Sequence, residues 1–163
     1  RHDLVLADRN QGTAYLEQLA QHHVSGQLKL APEHSQPRVL ARMGKPKVEM
    51  LLEFKRQFDR INHRLGKRQF LTYYFIAAHP GCRDEDMQAL RRFAIRRLLL
   101  WPEQVQLFTP TPTTWSTAMY CTGRDPANGD PLYVARDREE RHRQLRTMAL
   151  RRDAPQRRIP GAF

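Results

Sequence analysis

Three short apolar stretches of strand type, residues 27–31, 70–78 and 105–108, each run into a compact turn containing proline. After the first two, a helical pattern fills the gap before the next stretch. No other feature constrains the fold as tightly. Strands separated by a helix cannot close as hairpins, and a connection of that length is the crossover of a parallel sheet. Leu4-Val5-Leu6-Ala7 reads as a further short buried strand ahead of these, so four strands are expected. Between them, Asp8 or Asn10 caps a helix carrying Tyr15, Leu16, Leu19, Ala20 and Val24, and Ser25-Gly26 stops it. Pro46 suits the first turn of a second helix with Val48, Leu51, Leu52, Phe58, Ile61 and Leu65 inside, closed by Gly66. Asp84, Glu85 and Asp86 put acids in the first turn of a third, whose apolar positions include Met87, Leu90, Phe93 and Ala94.

The chain has 163 residues, enough for one domain with a core, whereas an α/β barrel usually takes about 250. It starts with Arg1 and shows no signal-peptide order, so it reads as a segment of something longer. No apolar run reaches the roughly 18 residues of a membrane helix. Cys82 and Cys121, the two cysteines, are far apart and make no disulfide framework. A cytoplasmic, reduced protein without a membrane partner is expected.

Charge is uneven. The formal net charge is +11, and residues 136–158 hold nine arginines against four acids. Such an excess suits RNA or another polyanion, and equally a solvated surface or a face turned to an acidic partner. Residues 124–131 form a turn-rich connector to Leu132-Tyr133-Val134, read as a last short strand. Residues 137–150 suit a helix with Leu145, Met148 and Ala149 as a thin apolar stripe. From Asp153 onward, Pro155, Pro160 and paired arginines suggest disorder.

Parallel strands present the loops after their carboxyl ends on one edge, where α/β proteins put ligand sites. Here those loops carry Pro32-Glu33-His34, then His79-Pro80-Gly81-Cys82, then Thr109-Pro110-Thr111-Pro112. A carboxylate, two imidazoles and a thiol can converge there. Each also has a plain alternative: Glu33 as a helix N-terminal charge, His34 as a solvent-facing turn residue, Cys82 as a small apolar filler. No metal-ligating set is apparent.

Two segments carry a family resemblance. Ala31-Pro32-Glu33-His34-Ser35-Gln36-Pro37-Arg38-Val39-Leu40-Ala41-Arg42-Met43-Gly44-Lys45 resembles the "ESGS…VLk.MnK" segment of radical S-adenosylmethionine (SAM) enzymes. Phe75-Ile76-Ala77-Ala78-His79-Pro80-Gly81-Cys82-Arg83-Asp84-Glu85-Asp86 is similar to their "GFPGET.ED" segment one strand later. The wording around residues 25–29, 102–106 and 118–123 looks most like the YgiQ-type radical SAM proteins. The likeness covers roughly residues 1–135.

The resemblance implies an α/β fold that is the C-terminal part of an incomplete parallel βα (TIM-like) barrel, residues 1–123, followed by a basic, partly disordered C-terminal tail, residues 124–163. It implies a parent enzyme in which a four-iron, four-sulfur cluster on a CxxxCxxC loop binds SAM and cleaves it reductively to a 5′-deoxyadenosyl radical. In this chain Glu33, His34, His79, Pro80, Gly81 and Thr109 would line the SAM site, with Glu33 on the amino acid or ribose part and the backbone of residues 79–81 near the adenine. A carboxylate accepts bonds from an ammonium or from hydroxyls, and Gly81 permits close backbone approach, so the chemistry is compatible.

The departures are as specific as the match. Two cysteines cannot supply three thiolates, so the cluster ligands would come from a missing N-terminal barrel half as partner. Arg96-Arg97-Leu98-Leu99-Leu100-Trp101 replaces the family's glycine-bearing turn, which lets the preceding helix run on. Thr113 stands where relatives often have glycine, a less comfortable place for φ > 0. The chain alone is expected to be inactive and, with open sheet edges, marginally stable. Two classes stay open: the SAM-facing segment of a radical SAM enzyme of unread substrate, and a non-catalytic basic remnant or RNA-binding module.

Overall fold

The computed structural model describes residues 1–100 and 104–149. The chain enters through two helices, α1 (His2–Ala7) and α2 (Gly12–Gln18), the second continuing as a π-helical turn, Leu19–His23. The strand expected at residues 4–7 is therefore part of a helix. Four apolar residues fit a buried strand or a helix equally well, and tertiary packing decides. Val5 and Leu6 pack on the core while Leu4 stays exposed, and the ring of His2 meets Phe54 edge-on at 6.1 Å. Asp8 accepts from the backbone N–H of Asn10 and Gln11, forming the turn into α2 rather than its cap.

Strand β1 (Gln27–Glu33) comes next, then two helices, α3 (Pro37–Arg42) and α4 (Val48–Leu65). Pro37 starts α3 because its fixed φ and missing N–H cost nothing in a first turn. Pro46 precedes α4 by two residues, and Gly66 ends α4 in the left-handed conformation that the sequence anticipates. Strand β2 (Phe70–Ala77) leads to α5 (Asp84–Phe93), whose axis runs on through a π-helical turn, Ala94–Leu98. The run-on expected for a segment without glycine occurs: it stops at Leu99, a non-glycine residue at φ 56 with an exposed side chain. Strand β3 (Gln104–Leu107) completes a three-stranded parallel sheet in the order β1-β2-β3.

Register explains the two faces of the sheet. Leu28 and Leu30 lie opposite Leu71 and Tyr73, and Val105 and Leu107 lie opposite Phe75 and Ala77. These side chains point toward the helices, joining Leu51, Phe54, Phe58 and Ile61 of α4 and Met87 and Leu90 of α5 in one core. Burying a large apolar side chain of this kind stabilises the fold by about 1.5–3 kcal/mol. The alternate positions, Lys29, Phe70, Thr72, Tyr74, Ile76, Gln104 and Gln106, form the opposite face, which no helix of the described residues covers and where none is fully buried.

Beyond the sheet, α6 (Trp115–Thr122), which sequence reading missed, is capped by Thr114, whose hydroxyl accepts from the Thr117 N–H. The short strand expected at residues 132–134 is absent; only Pro131 bridges back, antiparallel, to Arg124. α7 (Arg138–Met148) matches the helix expected over residues 137–150, with Met148 in the core and Asp137 as its cap. The disorder expected from Asp153 onward, with Pro155 and Pro160, falls outside the described residues, as does Trp101. Among the described residues no helix is long and apolar enough to cross a membrane.

Candidate functional site

The carboxyl ends of β1 and β2 are joined by side chains from the two segments singled out in the sequence. β1 carries one extra residue near its end: Leu30 pairs with Tyr73, yet Glu33 and not Pro32 pairs with Phe75. Such a bulge bends a strand and re-aims the residues after it. The bend closes as a three-residue turn in which the His34 N–H donates to the Pro32 carbonyl at 2.8 Å, with Glu33 at φ 65. A non-glycine residue in that region is strained, and such strain concentrates at functional sites. The half-buried Glu33 carboxylate pairs with Lys45 at 2.7 Å, so the two ends of the 31–45 segment hold each other. Glu33 is thus not a helix N-terminal charge.

His34 turns inward and is buried, not solvent-facing. Its Nδ1 accepts from the Gln36 N–H at 3.0 Å, which leaves the ring proton on Nε2, facing Cys82 Sγ at 3.5 Å. Burial pushes the imidazole down to about 4, so it is neutral, and burial likewise pushes the Cys82 thiol up. Cys82 is therefore an unreactive thiol that fills the core and anchors His34. A second tie runs beside it: Arg38 of α3 grips the buried Asp86 carboxylate of α5 with both nitrogens, at 3.0 and 2.6 Å, while Asp86 also accepts from the Arg83 N–H. The two segments lock together on adjacent strand ends.

The loop after β2 is held from three sides. His79 is buried, and its Nδ1 lies 2.9 Å from the Pro80 carbonyl, which can only accept. Nε2 then accepts from the Ser116 hydroxyl of α6 at 2.8 Å. Burial lowers this imidazole also to about 4, against the opposing pull of the Pro80 carbonyl. Gly81, at φ 83, donates to the Tyr133 carbonyl at 2.7 Å; a Cβ there would lie 2.8 Å from Arg42 Cδ. Gln144 of α7, fully buried, closes the loop: its Oε1 accepts from the Ala78 N–H and its Nε2 donates to the Cys82 carbonyl, both at 2.9 Å. Ala78 is another non-glycine residue with positive φ, at 60.

Thr109 stands apart from this cluster. It is exposed, and its hydroxyl turns back to the Leu107 carbonyl at 3.4 Å. Thr113 does adopt the uncomfortable conformation, φ 64. Sequence reading brought forward Glu33, His34, His79 and Gly81 but missed Lys45, Asp86, Ser116 and Gln144. Gln144 had one signal: it is the uncharged polar residue one turn before Met148 in a helix otherwise crowded with arginine and glutamate. Among the described residues no group of three or more histidines, cysteines or acids is gathered as a metal site.

Three parallel strands with helical crossovers on one face, and ligand-type loops at their carboxyl ends, define a parallel α/β segment. Comparison with known proteins adds relatives by sequence. The chain is 51% identical over 144 residues to a UPF0313 protein of Fusobacterium nucleatum, covering 88% of this chain and 25% of that protein. It is 46% identical over 144 residues to a UPF0313 protein of Clostridium perfringens, covering 88% of this chain and 21% of that protein. With a UPF0313 protein of Thermotoga petrophila it shares 41% over 158 residues, 97% of this chain and 28% of that protein. The chain thus spans about a quarter of the length of the curated relatives it matches. Residues 103–157 match the model of a domain of unknown function, DUF3362.

Proposed function

We propose that this chain is a segment of a UPF0313-type protein and that the whole protein is a radical SAM enzyme, to which the segment contributes SAM-facing strand ends. One observation carries the reading: the two resembling segments, 31–45 and 75–86, meet on adjacent parallel strands, through His34 with Cys82 and Arg38 with Asp86. A chance likeness of two separate stretches would not require them to interlock.

The residues present suit SAM in part. Glu33 offers a partly exposed carboxylate on a bent strand end, able to accept from an ammonium or a ribose hydroxyl; Lys45 sets its orientation. Gly81 keeps the neighbouring loop free of a side chain where Arg42 and Leu132 crowd it. His34 and His79 spend both ring nitrogens on protein atoms and so act by positioning the turns after β1 and β2. Thr109 would lie on the rim. When bound, SAM supplies the radical chemistry. The iron–sulfur cluster does not fit this chain: Cys82 is buried against His34 and Cys121 is exposed elsewhere, so the three thiolates belong to another part of the protein. In the proposed barrel, the uncovered sheet face would be the interior. There Lys29 Nζ sits 5.5 Å over the Tyr74 ring, and the Tyr74 hydroxyl donates to Gln106 at 2.6 Å, beside Ile76, a mixed polar and apolar lining in keeping with a substrate chamber.

The test uses the whole protein, purified without oxygen and reduced. Bound iron, formation of 5′-deoxyadenosine from SAM, and a SAM dissociation constant raised about tenfold or more by Glu33→Gln are expected. A native gene product of this length without iron, or a SAM affinity unchanged in Glu33→Gln, would overturn the proposal.

A further inference from the structure

On the helical side of the sheet, away from the strand-end site, Gln88, Arg91, Arg92, Ile95 and Arg96 of α5 and its π-helical extension face Thr147 of α7 across an open cleft of about 370 Å³. The arginines around it differ from their neighbours in one respect. Arg143 is paired with Asp84, Arg146 with Glu139, Arg38 with Asp86, and Arg141 donates to the Phe108 carbonyl. Among the described residues, Arg91, Arg92 and Arg96 have no acidic partner. Three guanidinium groups gathered without compensating charge repel one another, a cost that a bound anion removes.

We infer that this cleft binds the phosphate backbone of a single-stranded nucleic acid. The arginines offer planar, multidentate donors suited to phosphate oxygens, and Gln88 and Thr147 add an amide and a hydroxyl. Ile95 and the aliphatic stems of the arginines give the cleft an apolar floor, on which an unpaired base can lie as a base in a duplex cannot. An extended ligand fits better than a single small anion, because an open cleft of about 370 Å³ lined by three arginines has room for more than one phosphate group. This site is independent of the SAM reading and survives its failure.

The experiment is a fluorescence-anisotropy titration of the chain with a labelled single-stranded RNA of about 16 nucleotides, repeated across a salt series. The triple variant Arg91→Gln, Arg92→Gln, Arg96→Gln is compared with a control of equal charge loss on the outer side of α4: Arg56→Gln, Arg60→Gln, Arg64→Gln. All six residues are exposed or half-buried, and circular dichroism verifies that both variants fold. The cleft variant is expected to bind at least about tenfold more weakly and to lose about two units of slope in log K against log salt, about 0.7 per arginine. The control is expected to change by less than about threefold. Equal weakening by the control would reduce the effect to net charge and overturn the inference, as would duplex DNA of the same length binding as tightly as the RNA. Replacing the three arginines by lysine, which keeps charge but not the fork, is expected to preserve the salt slope while weakening binding; loss of the slope would also count against it.

Discussion

Gln144→Ala is the substitution that most directly tests how the strand-end loops are held. In the native chain one side-chain amide satisfies both ends of the loop, accepting from Ala78 N–H and donating to the Cys82 carbonyl, with no solvent exposure. Truncation leaves a buried donor and a buried acceptor unpaired, each costing about 1–2 kcal/mol, for a total of about 2–4 kcal/mol. The positive φ of Ala78 gives the loop a further reason to let go once the bond is cut. For a chain of this length that loss lowers Tm by roughly 4–16 °C. Urea unfolding followed by circular dichroism gives the free energy, and amide hydrogen exchange over residues 78–82 should accelerate in the variant before global unfolding. Gln88→Ala, an exposed glutamine on α5, should shift stability by less than about 0.5 kcal/mol. If Gln144→Ala matched Gln88→Ala in stability and exchange, the clamp would be a geometrical coincidence and the argument for it would fail.

Buried titratable groups lead to two further outcomes. His34 and His79 are both neutral in the fold, each lowered to about 4 by burial, while unfolded histidines titrate near their ordinary value of about 6.5. Between those values the unfolded chain binds more protons, so stability is fully present above pH 6.5 and falls as pH drops toward 4, with a slope of up to about two protons. Urea midpoints from pH 7 to pH 4.5 check this, and His79→Asn should remove about half of the slope. The two cysteines should separate cleanly: the exposed Cys121 reacts with an alkylating reagent in the native state and the buried Cys82 only after unfolding, as counted by mass spectrometry.

Much of the architecture is legible from local rules. α4 and α5 can be read from apolar spacing and from Gly66 and the acids at residues 84–86, and β2 from its alternation. What local rules cannot decide is the state of short apolar runs: Leu4–Ala7 folds as helix and Leu132–Val134 as neither helix nor strand, because long-range packing settles both. α3 and α6 are short, and their start signals, Pro37 in the first turn of α3 and Thr114 capping α6, are weak enough to pass for loop chemistry. The site shows the same division. Topology puts Glu33, His34, His79 and Gly81 at neighbouring strand ends, but the contact of His34 with a thiol 48 residues away and the reach of Gln144 into the loop 66 residues earlier depend on crossover geometry that residue order does not encode.

The turn at Glu33 has an implication for selection. A left-handed residue within a hydrogen-bonded three-residue turn is a place where glycine would be preferred on stability alone, by about 1–2 kcal/mol. A library of variants sorted for thermal resistance should therefore enrich Glu33→Gly, while one sorted for function should discard it if the carboxylate meets a ligand. Position 33 is then where backbone ease favours glycine while the ion pair with Lys45, and any ligand the carboxylate meets, favour glutamate.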